Sequence, residues 1–162
     1  MGGIITGTNP YPDSPVKDSL EVGAEFQDFA AYRINKRLGI AIQIFSSKKF
    51  QYAVGESIQG VEFKLDQGMV RYGHLSIEIA EKTSLSQVRW IPSGIYRSDN
   101  TQFYVHGNYD SFFFFMKKIL ILLHKSGRYG DEHAWQTVKK FYLPLPDADK
   151  YGIRIVPGGA SD

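Results

Sequence analysis

Four consecutive phenylalanines, Phe112 to Phe115, constrain the fold more than any other stretch. A short run of bulky aromatics bounded by turn residues reads as a buried strand rather than the start of a helix. The residues before it, Gly107-Asn108-Tyr109-Asp110, are strong turn chemistry and predict a hairpin. Residues 101–106 then read as the strand on the other side of that turn. After the phenylalanines, residues 117–125 read as a helix closed by Gly127. Lys117 and Lys118 interrupt the apolar run over 112–123, which is also too short to span a bilayer.

The rest of the chain supplies the partners for this hairpin. Phe26, Ala30, Ile34 and Leu38 recur at helical spacing, with Asp18 or Ser19 as cap and Gly39 as stop. Glu21, Glu25 and Asp28 sit in the first half of that helix, and Arg33, Lys36 and Arg37 in the second, an order that suits the helix dipole. Strands are expected over 40–45, 50–54, 60–66, 74–82, 136–143 and 153–156. Turns are expected over 46–49 and 67–73, and loops over 83–100 and 144–150. The strand over 74–82 is expected to pair antiparallel with that over 60–66. Residues 1–18 read as a flexible arm, 19–156 as one α/β domain and 157–162 as a flexible tail. The 162 residues suit one domain with one core.

Composition removes several classes of function. There is no cysteine, which excludes disulfides and thiolate-held metals. Any metal must sit on carboxylates, carbonyls or histidine. His74, His106, His124 and His133 are scattered without metal-ligand spacing, and no phosphate-binding glycine loop or nucleophile elbow occurs. The N-terminus lacks a basic region followed by an apolar run, so a cytoplasmic protein without membrane association is expected. The net charge of +2 is mildly basic, which accommodates an acidic centre with a basic rim.

Chemistry is concentrated between Gly55 and Lys82. Side chains alternate faces along a strand, so Glu62, Lys64 and Asp66 share one side. On the following strand Glu78 and Lys82 share a side, with Ala80 between them. Two acids and a lysine on neighbouring strands can hold a divalent cation and set water against a phosphodiester. Carboxylates bind Mg²⁺ through oxygen, and the metal stabilises charge growing on the phosphate. The lysine can orient or deprotonate the water, or stabilise the pentacovalent phosphate. Charged strand faces are also commonly solvated, with cross-strand ion pairs worth a few tenths of a kcal/mol each.

Glu62-Phe63-Lys64, with Glu56 ahead of it, resembles the Glu-x-Lys element of the PD-(D/E)XK, or restriction endonuclease-like, nuclease superfamily. Glu56 stands where that family usually has Asp. The resemblance covers residues 19–82. It implies a restriction endonuclease-like mixed β-sheet flanked by helices, Mg²⁺-dependent cleavage of double-stranded DNA, and a homodimer or higher homo-oligomer. It also implies a glutamate from the preceding helix, here Glu25 or Glu21. Two registers follow. In one, Glu56 and Glu62 bind metal. In the other, Glu62 and Glu78 do so with fifteen residues between them, Ala80 takes the usual lysine place, and Lys64 or Lys82 supplies the charge. Both registers keep Glu62 and Lys64. Gly55 and Gly60 are expected to let a substrate approach the acids closely.

The reading at this level is a Mg²⁺-dependent DNA endonuclease of restriction or homing type, phage-borne or encoded by a mobile element. Lys48, Lys49, Arg71, Arg89, Arg97, Lys139 and Lys140 are its candidate contacts to the DNA backbone. The competing reading is a non-catalytic nucleic-acid-binding module, or an oligomeric interaction module whose interface is the apolar run over 112–123.

Overall fold

The computed structural model describes residues 19–130 and 132–158. The arm expected over 1–18, the cap at Asp18 or Ser19, and tail residues 159–162 lie outside what is described. The elements in chain order are α1 (Ser19–Leu38), α2 (Lys48–Ala53), β1 (Val61–Leu65), α3 (Met69–Tyr72), β2 (His74–Glu81) and β3 (Ile91–Pro92). A 3₁₀ turn (Gly94–Tyr96) precedes β4 (Phe103–Gly107), β5 (Phe112–Met116), α4 (Lys117–Lys125), β6 (His133–Trp135), β7 (Val138–Pro144), α5 (Leu145–Tyr151) and β8 (Ile153–Ile155).

The strands form two sheets of mixed α/β architecture. The first, in order β1-β4-β5-β8, is mixed: β1 runs parallel to β4, and the other pairs are antiparallel. The second, β3-β2-β7-β6, is wholly antiparallel. The phenylalanine run lies in the first sheet and shows why it must be a strand. Phe112 and Phe114 turn to a core shared with Phe26, Ala30 and Ile34 of α1, whereas Phe113 and Phe115 turn to a second core. Alternation thus sends one unbroken apolar run to both sides of its sheet. The second core also takes Leu75, Ile77 and Ile79 of β2, Phe141 and Leu143 of β7, Leu120 and Leu123 of α4, and Ala148 of α5. It is the layer between the sheets.

Several expected elements differ. β1 and β2 do not pair: β1 is bound to β4, and β2 to β7 with β3 on its other edge. The acids of these two strands therefore belong to different sheets. Of residues 50–54, expected as strand, 50–53 belong to α2 and Val54 is its C-cap; the start of α2 is capped by Ser47 Oγ accepting from the backbone N–H of Phe50 at 3.3 Å. Residues 40–45 carry a single bridge, Ile44 to Ser57. The turn after β1 contains α3, and the loop expected over 144–150 is α5, with Pro146 in its first turn where a missing N–H costs nothing. The hairpin at 107–110, α4 and the final strand fall where expected. Among the described residues no helix is long and apolar enough to cross a membrane.

Candidate active site

On β1, Val61 and Phe63 pack toward α1, so Glu62 and Lys64 must face the other way. Lys64 borders a cavity of about 320 Å³ together with Asp66, Glu78, Tyr104, His106 and Lys140, and Glu62 lies behind Lys64. The cavity takes its walls from both sheets.

Glu62 is buried, with 4% of its surface exposed. Its Oε1 lies 2.7 Å from Lys64 Nζ, and Thr101 Oγ1 donates to its Oε2 at 3.4 Å. Burial opposes the charge on Lys64, but Glu62, with Glu78 and Glu56 behind it, outweighs burial and holds the ammonium above the usual lysine range. Glu56 precedes β1 and is anchored twice. The Phe63 N–H and Gln27 Nε2 each donate to its Oε2 at 2.9 Å. Its backbone carbonyl accepts from Phe45 N at 2.9 Å, so the bridge-bearing segment over 40–45 fixes this residue. Burial, then the neighbouring charge of Glu62, pushes the Glu56 carboxyl above its ordinary value, against the two donors and Lys64.

Glu78 approaches from the second sheet and accepts from Ser93 Oγ at 2.6 Å. The 3₁₀ turn is pressed onto it. A Cβ on Gly94, which has φ of +52°, would lie 2.2 Å from the Glu78 carbonyl oxygen. Glu56 and Glu78, the acids over which the two registers differ, both act on the charge of Lys64. Lys82 does not join them, and instead lies 4.5 Å from the Trp90 ring centre.

Two expectations about this region change. Glu25 is exposed on α1, and the helix residue that reaches the acids is Gln27. The openings at Gly55 and Gly60 are filled from within, because a Cβ at either would strike Asn100, its side chain at Gly55 and its backbone at Gly60. The loop over 93–100 is an internal brace: Asp99 lies 3.5 Å from Arg97 Nε and 3.6 Å from Lys117 Nζ, and Asn100 Nδ2 donates to the Ser57 carbonyl at 2.8 Å.

Two further groups border the site. Tyr104 on β4 is 2% exposed. Its hydroxyl lies beside Glu62 yet completes no well-directed hydrogen bond. Burial, reinforced by Glu62, Asp99 and Glu78, raises it well above the usual phenol range. Asp66 Oδ2 receives both His106 Nε2 at 3.2 Å and the Ser76 N–H at 2.9 Å. Burial opposes its charge, but His106 and the backbone N–H groups of Ser76 and Gly68 prevail and lower its value. It ties the end of β1 to β2.

Among the described residues no three His, Asp or Glu side chains form a ready-made metal cluster. Mg²⁺ asks for less, since it keeps several waters and takes one or two carboxylates. Glu56 and Glu62 are an all-oxygen pair, close enough that Glu62 opposes the charge on Glu56. Three carboxylates around one ammonium leave an excess of negative charge, and the unpaired Tyr104 hydroxyl adds another oxygen donor. The residues present fit such a cation.

Of the seven basic candidates, Arg97 and Lys139 are engaged internally, with Asp99 and with Glu132. Lys48 donates to Gln51 at 3.0 Å. Lys49 and Arg89 are exposed, away from the cavity lining. Lys140 lines the cavity, and Arg71 lies 5.5 Å from the Tyr72 ring centre. No family model, curated protein or solved structure matches the chain.

Proposed function

We propose that the protein is a divalent-metal-dependent deoxyribonuclease that hydrolyses phosphodiester bonds in the cavity between the sheets. The proposal extends to a restriction endonuclease-like fold, with the acids on β1 of the mixed sheet and α1 behind them. The observation that carries it is the grouping of Glu56, Glu62 and Lys64 at one strand, with Lys64 Nζ 2.7 Å from Glu62. Glu56 and Glu62 would hold Mg²⁺, which when bound polarises the phosphate and acidifies water.

The residues of the chain divide the remaining work. Lys64 keeps its proton at neutral pH, so it serves as a fixed positive charge for the oxygens of the pentacovalent phosphate and not as a base. Glu78 faces Lys64 and is placed to orient the attacking water and take its proton. The water oxygen bonds to phosphorus, the ester P–O bond breaks, and the departing oxygen is protonated from solvent. The Tyr104 hydroxyl keeps its proton throughout and is a donor near Glu62.

The test is plasmid nicking with Mg²⁺ or with EDTA, for the parent, Glu62→Ala and Lys64→Met. The expected result is nicking by the parent in Mg²⁺ alone, and loss of at least about a hundredfold in Glu62→Ala. A Glu62→Ala protein that cuts at the parental rate overturns the reading. If the folded parent binds DNA and never nicks it, the cavity belongs to a binding module.

A further inference from the structure

Beside the cavity, on the same face of the second sheet, the rings of four residues form a row. Ser76, Glu78 and Lys140 line the cavity from this face. Ser76 is opposite Tyr142, and Lys140 lies between Glu78 and His133 in the strand register. Tyr142 is stacked between two imidazoles, with centroids 4.1 Å from His74 and 4.4 Å from His133. Tyr72 continues the row at 6.0 Å from His74, its plane within 17° of parallel. Two cations attend it: Lys140 Nζ is 5.7 Å from the Tyr142 ring centre, and Arg71 sits over Tyr72.

Tyr72 and His133, at the two ends of the row, are exposed, and Nδ1 of His74 is buried without a hydrogen-bond partner. The ring column is too polar for an apolar protein interface, whose centre is depleted of charge. Rings interleaved with Lys and Arg are instead the composition that holds unpaired bases and their phosphates. Glu78 and Asp66 lie at the cavity end, whereas Lys140 and Arg71 stand along the row itself.

We propose that this face is a docking track for an unpaired nucleic-acid strand. A base extends the column at its exposed end on His133 or Tyr72, phosphates meet Arg71 and Lys140, and the strand runs on toward Glu78 and Lys64. The idea rests on the hydrolase reading for its destination, but binding is measured apart from cleavage.

The experiment is fluorescence anisotropy in EDTA, with labelled oligothymidine and a blunt duplex of equal length as probes. The parent is expected to bind oligothymidine more tightly than the duplex. His133→Ala and Tyr72→Ala, both at exposed positions, each weaken oligothymidine binding about fivefold or more, the loss of one stacked base. Lys140→Ala lowers the salt dependence by about one counterion. Circular dichroism confirms that each variant is folded. Parental affinity in both ring variants, or duplex bound as tightly as single strand, overturns the track. Parental affinity in the ring variants with nicking lost in Glu62→Ala removes the track and leaves the hydrolase. Weakened binding in the ring variants of a protein that never nicks does the reverse.

Discussion

Glu56 is a residue whose charge works against the fold that holds it. Its carboxyl is raised by burial and by Glu62, so above its folded value the ionised form costs stability that a neutral side chain would not. Glu56→Gln keeps an acceptor for the Phe63 N–H and removes the charge. Its melting temperature at neutral pH should therefore rise by a few degrees, on the order of 1 kcal/mol, while Mg²⁺-dependent nicking falls. Calorimetry and nicking on the same preparation check both. Lys64→Met works in the opposite sense, because it leaves the Glu62 carboxylate buried beside a methyl group. A fully buried broken pair costs about 3–5 kcal/mol, but solvent screens Lys64, whose side chain is 36% exposed, so about 1–2 kcal/mol is expected by denaturant titration. At this scale Glu62 and Lys64 could be read from alternation alone. Gln27 and Tyr104 could not, since a lone glutamine or tyrosine has no spacing signature, and their roles come from which strands lie beside them.

At the level of elements, the 3₁₀ turn is the most exposed to a single substitution. Gly94→Ala combines a left-handed backbone angle of +52° with a Cβ lying 2.2 Å from a carbonyl oxygen of β2. The turn must lift away from β2, taking Ser93 from Glu78. A loss of about 2–4 kcal/mol is expected, with nicking reduced even where the protein remains folded. Which elements were legible follows from their length and surroundings. β1, β4, β5 and α4 carry alternation or an apolar run several residues long, with turn residues on both sides. The helices α2 and α5 have only 6 and 7 residues, too few to establish a helical period. Phe50 to Ala53 is aromatic enough to pass for a strand, and only the Ser47 cap argues otherwise. The pairing of β2 with β7 rather than β1 is a tertiary choice, made by the apolar sides of Leu75, Ile77, Phe141 and Leu143.

Across the whole molecule, the two sheets meet through Asp66 at the edge of the cavity. Burial opposes its charge, but His106 and backbone N–H groups hold its value below the ordinary aspartate range. A lowered carboxyl contributes stability that is present above the unfolded value and is lost as pH falls through the folded one. Thermal melts of the parent should therefore decline as pH drops below about 4. Asp66→Asn should be less stable at neutral pH and lose part of that acid decline. Equal slopes in the two proteins would show that the tie contributes nothing. The order of the strands has a temporal consequence as well. β1 and β4 are parallel neighbours, and the chain between them must first travel out to form β2. β2 then waits for β7, which lies beyond β4, β5 and α4. Contacts of such long sequence separation close slowly. As a growing chain leaves the ribosome, the first sheet can gather most of its strands while β2 still lacks its partner. The wall that carries Glu78 closes only once β7 has followed, so the cavity stays incomplete through most of the chain's synthesis.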